Sequence, residues 1–578
     1  MKELVQGSRS KILAVVLLVA FALIAVRLFQ LQVIQHSYYV DLARQEQYKT
    51  TRIPAQRGLI YAMDDDKLSP LVMNQDVYIL FVDPTVVREH KKIERVVREV
   101  AGAEIVSEDL ARDIRDKSTQ YKVLARNVTL RQAEIIKAEG FYGLGVQKVS
   151  KRVYPEGGLA AQVLGFVNHD GVGQYGVEEF LNKQLIGEDG LLKSVTDVSQ
   201  VPLSIGKDNI RHEPIHGKSF AMSIDRSVQS KTEEALLNGI KKAGATHGSA
   251  IVMDPNSGKV VSMANFPTYN PGEYTSVTDA SVFANSAISM PFEPASVIKT
   301  FTIGIGLDRG VIRPDTTFNN TDSVRVDDYV IGNAAKGYTG NISMQTALNW
   351  SLNTGMVDIA KRLGGGDRIN RQSRDVIYDY MHDRFGIGKL TGIELAGERK
   401  GTLYSPDHEE GNAVKFSNVV FGQGFDATMI QVASGFSALI NGGTYYSPTV
   451  INGTVDGVQL NLETPKPKRG GVVSPEASKD ARHMAYVARS TYTKDDKPGY
   501  YVGGKTGTAQ TLKDGKYVSD ETIGTYLGFG GTEEESKYVI MIQMSGERMN
   551  IQGNIHAMPV FTEISNWLLE YYQLQPRK

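Results

Sequence analysis

The sequence has no cysteine. That absence excludes disulfides, thiol nucleophiles and thiolate metal sites. It is harmless in an oxidising compartment but identifies none. A charge surplus is missing too: 64 Lys and Arg stand against 65 Asp and Glu, a formal net charge of -1. Nothing therefore points to a nucleic-acid or polyanion partner. The 10 histidines and the carboxylates fall into no metal-ligand spacing, so neither a metal nor a cofactor is expected. What is present is length. At 578 residues the chain exceeds one ordinary core, and two or more domains are expected.

Residues 12–26 form an unbroken apolar run, and Arg27 interrupts it before Leu28 to Ile34. Continued through residue 34, with Arg27 snorkelling or paired, the run reaches the ~20 residues that a membrane span needs. Lys2, Arg9 and Lys11 precede it against only Glu3. Positive flanks stay in the cytoplasm, so the bulk of the chain is expected outside, on the periplasmic side. The rival reading is a cleaved signal peptide, but Ala20-Phe21-Ala22, which resembles a cleavage site, falls inside the run. The expectation is an uncleaved anchor over 12–34, with 1–11 cytoplasmic.

The chemistry gathers at Pro294-Ala295-Ser296-Val297-Ile298-Lys299. A serine and a lysine three apart on a helix share one face. A hydroxyl becomes a nucleophile when a nearby base takes its proton. Lysine serves as that base only when burial or a second cation lowers its pKa. Val297, Ile298, Phe301, Ile303, Ile305 and Leu307 wrap around the helix, which predicts a central, buried element. Two further stretches follow in order: Ser351-Leu352-Asn353 and Gly504-Lys505-Thr506-Gly507-Thr508. Ser-x-x-Lys with these elements is a set found in penicillin-binding proteins and class A β-lactamases.

On those motifs the chain resembles a class B penicillin-binding protein, a peptidoglycan transpeptidase, over nearly its whole length. The resemblance implies a mixed α/β fold of the α+β type. It pairs a transpeptidase domain over 226–578 with an elongated pedestal (dimerisation-like) domain over 35–225. It also implies roles: Ser296 as nucleophile, Lys299 as its base, Ser351 as proton relay, and Asn353 holding Lys299 and a substrate amide. Lys505, on an edge strand, would lower the Lys299 pKa and draw in the substrate carboxylate, which Thr506 and Thr508 bind. Gly507 would let the backbone approach substrate, and the N–H groups of Ser296 and Thr508 would form the oxyanion hole. Implied partners are lipid-linked stem peptides, β-lactam antibiotics, a polytopic glycosyltransferase and other division (or elongation) proteins, with division weakly favoured. No glycosyltransferase motif is visible, so glycan polymerisation falls to a partner.

Arg57-Gly58-Leu59-Ile60-Tyr61 is similar to the family's first pedestal hairpin, although the continuation Ala62-Met63-Asp64-Asp65 departs from it. Residues 85–140 read as helical, with Thr129 and Gln132 as a capping box and Gly140 as a stop. Glu178 and Glu179, in a second pedestal cluster with Arg152, could be mistaken for an acid/base pair. Ala250 to Asp254, Val260 to Ala264, Thr525 to Phe529, Tyr538 to Ile542 and the Lys505 stretch make about five strands, predicted antiparallel. Residues 451–480 read as loop-rich, and Pro559 to Tyr572 as a helical tail. Three rival functions remain. A serine β-lactamase would need a Glu-x-x-x-Asn element, and Glu409-Glu410-Gly411-Asn412 has the wrong spacing. A D,D-carboxypeptidase shares the acylation chemistry. A non-enzymatic receptor or scaffold would show a broken motif set, which is not seen.

Overall fold

The structure, a computed structural model, describes residues 2–40, 48–65, 67–102, 105–195, 210–513 and 516–577. The chain divides into two units, Met1–Arg57 with Ile186–Gly217, and Gly58–Leu185 with Lys218–Lys578. In the first, Lys2–Phe29 is one α-helix that runs into a wider turn at Gln30–Ile34. Residues Arg9–Ile34 are long and apolar enough to cross a membrane. Arg27, inside that stretch, donates to Gln30 Oε1 at 2.9 Å, which pairs the one interrupting charge locally. A three-stranded antiparallel sheet, Tyr48–Ile53, Gly190–Val195 and Ile210–His212, completes this unit.

The second unit begins with a hairpin, Ile60–Asp64 against Lys67–Val82, closing at the pair Asp64↔Lys67 with Asp65 at φ 52°. The departure from the family pattern thus still makes a tight turn. The long strand continues into pairing with Leu144–Val153 and Lys122–Val128. Helices His90–Ala101 and Leu130–Ala138 pack on it through Ile93, Val97, Ala133 and Ile136. The Thr129–Gln132 capping box forms, with Thr129 N donating to Gln132 Oε1 at 2.9 Å and Gln132 N returning to Thr129 Oγ1 at 3.3 Å. The helical reading of 85–140 is corrected: among the described residues only 90–101, 110–113 and 130–138 are helical. Lys122–Val128 is a strand, because it completes a sheet whose other strands lie far off in sequence.

Arg152 and Glu178 form a buried ion pair, Nε to Oε1 at 2.8 Å. Glu178 is therefore spent on a structural pair, while exposed Glu179 accepts from Tyr175 N. Ser219–Asp225 lies parallel to Ile60–Asp64 on one side and antiparallel to Ile451–Asp456 on the other. One seven-stranded sheet thus joins strands from residues 60–153 to Ser219–Asp225 and to two strands within 451–462. The loop-rich reading of 451–480 is corrected: it holds strands Ile451–Asp456 and Gln459–Leu462 and the start of helix Pro475–Tyr492.

The C-terminal sheet is antiparallel, in the order Val260–Phe266, His247–Met253, Ser536–Ser545, Lys516–Gly531, Tyr501–Lys513. Successive side chains alternate between faces. Ala250 and Val252 meet Leu236 and Phe561 of helices Arg226–Ala243 and Met558–Tyr571. Ile251 and Met253 belong to the opposite core, with Phe301 and Phe436 of helices Lys299–Asp308 and Met429–Ile440. Both faces are covered, which is why these strands read as nearly continuous apolar runs. The helix that follows Ser296 is central as expected: Phe301, Ile303 and Ile305 are fully buried.

Candidate active site

Ser296 sits in a single 3-10 turn, Ala295–Ile298, that passes into the α-helix at Lys299. In a 3-10 turn residues i and i+3 lie on one face, which sets Ser296 and Lys299 on the same side of this segment. The turn starts from a strained point, Ala295 at φ 58°. Ala295 N donates to Gly422 O at 2.9 Å, and a Cβ on Gly422 would lie 1.8 Å from the Ala295 carbonyl oxygen. Gly422 lets one backbone brace another beneath Ser296.

Lys299 is 1 % exposed. Its Nζ donates to the Ser351 carbonyl oxygen at 2.5 Å and lies 3.0 Å from Ser351 Oγ. Burial, and then the nearby charge of Lys505, hold this amine well below the ordinary lysine range. A lysine held that way gives up its proton more readily than an ordinary one, which is what a base for a hydroxyl requires. Ser351 presents both oxygens at once because its backbone turns through φ 56°.

That corner is held by residues the sequence reading missed. Thr354 donates its hydroxyl to Asn320 Oδ1 at 2.8 Å and its N–H to Asn333 Oδ1 at 3.0 Å. Asn333 Nδ2 donates to Asn320 Oδ1 at 3.1 Å. The only available signal was asparagine at two positions between weak strands, and their pairing is tertiary. Asn353 requires a correction. No hydrogen bond joins it to Lys299, because its Nδ2 donates to Gly332 O at 2.8 Å.

Lys505, Thr506, Gly507 and Thr508 lie on Tyr501–Lys513, the edge strand of the sheet. Lys505 is 3 % exposed, and burial pushes it down to about 7. Its Nζ donates to Thr506 Oγ1 at 3.2 Å and Thr506 O at 3.3 Å. Thr508 is exposed, and its Oγ1 accepts from Gly553 N at 3.1 Å. Gly507 has a packing role as well. A Cβ there would lie 2.3 Å from Thr525 Oγ1 and 2.9 Å from Pro294 O. Its bare backbone lets the edge strand press against the nucleophile turn.

Two more groups frame the site. Glu293, half-buried just before the turn, accepts from Gly424 N at 2.8 Å and from the Tyr517 hydroxyl at 3.0 Å, and burial raises its pKa. Arg489, wholly buried beside Lys505, is clamped by Asp496 at 2.6 and 2.8 Å and donates to the Tyr526 hydroxyl at 2.6 Å. Among the described residues no three His, Asp or Glu side chains gather to hold a metal ion. The arrangement is a serine one turn ahead of a buried lysine whose pKa is lowered, a second hydroxyl 3.0 Å from that amine, and a second buried lysine on the edge strand. It suits acyl transfer through a serine ester.

Comparison with known proteins gives the same answer. Residues 248–566 match the penicillin binding protein transpeptidase domain and residues 52–220 the penicillin-binding protein dimerisation domain. The chain is 29 % identical to stage V sporulation protein D of Bacillus subtilis, over 99 % of this chain and 87 % of that protein. It is 28 % identical to the peptidoglycan D,D-transpeptidase FtsI of Buchnera aphidicola subsp. Schizaphis graminum, over 96 % of this chain and 93 % of that one. Its fold is similar to that of penicillin binding protein 3 of Mycobacterium tuberculosis, solved in complex with aztreonam. The TM-score is 0.66 at 24 % identity, covering 91 % and 98 % of the two chains. With a dimerisation domain ahead of a transpeptidase domain, the chain belongs to the class B penicillin-binding proteins.

Proposed function

We propose that this chain cross-links peptidoglycan stem peptides by a serine acyl-enzyme mechanism, with a septal role. Lys299, as free amine, accepts the Ser296 proton while Oγ attacks the carbonyl between the two terminal D-alanines. The C–N bond breaks, Ser351 relays a proton to the leaving amine, and the terminal D-alanine departs. An amine of a neighbouring stem then attacks the ester, its proton returns through the same groups to Ser296, and the cross-link forms. The N–H groups of Ser296 and Thr508 take up the oxyanion in both steps. Protonated Lys505, with Thr506 and Thr508, binds the donor carboxylate. β-Lactams acylate Ser296 in the same way. The observation that carries this reading is the buried, charge-depleted Lys299 with its Nζ 3.0 Å from Ser351 Oγ.

The N-terminal helix anchors the chain in the cytoplasmic membrane, with the remainder extracytoplasmic and a polytopic glycosyltransferase supplying glycan. Residues 35–225 act as pedestal and 226–578 as catalytic domain. The test is lipid-linked substrate supplied with a separate polymerase. Cross-linked dimers that vanish with Ser296→Ala support the reading; release of D-alanine without dimers makes the chain a carboxypeptidase.

A further inference from the structure

The groove along the edge strand is electrically one-sided near its chemistry. Lys299 and Lys505 are its buried lysines, and Lys505, when protonated, suits a carboxylate. A stem peptide that supplies a cross-linking amine also carries an ammonium, which a protonated Lys505 repels. The one carboxylate built into the nucleophile turn is Glu293. It lies one residue before Pro294, whose carbonyl oxygen faces Gly507 of the edge strand. Its partners are neutral donors, Gly424 N–H and the Tyr517 hydroxyl. Among the described residues it makes no ion pair. Lys415 and Asp426 are the charged groups nearby. Lys415 lies 3.8 Å from Glu410 Oε2, and Asp426 accepts from Thr402 N at 2.5 Å.

Tyr517 gives the direction. It lies on the neighbouring strand and pairs with Leu512 of the edge strand near the hairpin end, well past Lys505 and Thr508. An edge strand accepts an extended peptide as an added strand, with alternate side chains meeting alternate pockets. A stem that places its terminal carboxylate at Lys505 and its scissile carbonyl at Ser296 runs its earlier residues toward Tyr517. Glu293 faces that part of the path.

We propose that Glu293, presented with Tyr517 at the hairpin end of the groove, is a subsite for the free side-chain amine of a stem peptide. The carboxylate takes the ammonium at one end while Lys505 takes the carboxylate at the other. This rests on the transpeptidase reading above. The amine belongs either to the donor stem or to the acceptor stem; the chemistry is the same, and the test separates them.

The full-length protein would be assayed with a D-Ala-D-Ala donor peptide bearing a free lysine amine and with its N-acetylated counterpart, each rate divided by that of labelled-penicillin acylation. In a second arm a donor lacking the amine would be paired with acceptors whose second amine is free or acetylated. Wild type is expected to favour the free amine by about tenfold or more in one arm, as one charge-assisted hydrogen bond allows. Glu293→Gln, which keeps an acceptor for Gly424 N–H, should bring that ratio near one, whereas Tyr517→Phe, which keeps the carboxylate, should preserve it. A preference in the first arm assigns the donor amine, and in the second the acceptor amine. An unchanged ratio in Glu293→Gln in both arms, or no preference in wild type, overturns the proposal. Failure of the transpeptidase reading would look different: no penicillin acylation of the wild type at all.

Discussion

Ala295 and Gly422 meet backbone to backbone, with Ala295 N donating to Gly422 O at 2.9 Å and no room for a Cβ between them. The strained turn that lifts Ser296 is thus set by a glycine more than a hundred residues downstream. Gly422→Ala should shift the turn and slow acylation by about 100-fold, the usual cost of a misplaced reacting group. The check is the rate of labelled-penicillin adduct formation, with far-UV circular dichroism to show that the fold persists.

Ser351 offers Lys299 two oxygens, one of them backbone. In Ser351→Ala the carbonyl contact at 2.5 Å survives, so the base stays in place and the relay alone is lost. Acylation should fall by about 100- to 10,000-fold, the range for removing a positioned proton-transfer group. The pH at which Lys299 titrates should change much less than the rate. A variant as fast as wild type would remove Ser351 from the mechanism.

The two lysines give opposite limbs to the pH profile. Lys299, held well below the ordinary lysine range by burial and by Lys505, is the base required for attack, so activity falls as pH drops through its lowered pKa. Lys505 must be protonated to hold a carboxylate, and it loses its proton above about 7. The second-order rate for carboxylate-bearing donors should therefore decline above about pH 7. A donor with that carboxylate esterified should be slower but lack the alkaline decline. Stopped-flow acylation across pH 5–10, a range set to bracket these groups, checks both limbs.

Burying Lys505 also has a stability consequence. Between about 7 and the ~10.4 of an unfolded lysine, the unfolded chain binds a proton that the folded chain does not. Stability contributed by this group rises with pH across that window, so the penalty is full below about 7 and gone above the unfolded value. Lys505→Met should melt higher than wild type at pH 6–7, though inactive, and the gap should close toward pH 10. Thermal melts at several pH values measure it.

Arg489 is a buried cation whose charge is met by Asp496 through two hydrogen bonds. Asp496→Ala leaves that charge unpaired beneath the Lys505 strand and should cost about 3–5 kcal/mol of stability. Urea unfolding would show it, and a loss under about 1 kcal/mol would mean that Tyr526 and Thr562 suffice.

How far the sequence carried this picture depends on the distance over which each feature is encoded. The Thr129–Gln132 cap is local and was readable. The five strands of the C-terminal sheet were readable because each carries its own apolar run. Lys122–Val128 was not, since its strand character comes from Lys67–Val82. Ile451–Asp456 was missed for the same reason, its partner Ser219–Asp225 lying more than two hundred residues earlier. Within the site, Ser296, Lys299, Ser351 and Lys505 were legible as motifs and stand together. The brace at Gly422, the Asn320–Asn333–Thr354 network and the engagement of Asn353 with Gly332 are tertiary contacts with no sequence period.

The most direct test of the central claim is the mass of the acyl adduct. The protein is incubated with a penicillin, digested, and the peptide that carries the added mass is sequenced by fragmentation. The expected result is one adduct on Ser296, absent in Ser296→Ala and strongly slowed in Lys299→Met. An adduct on another residue, or labelling that survives Ser296→Ala, would contradict the account.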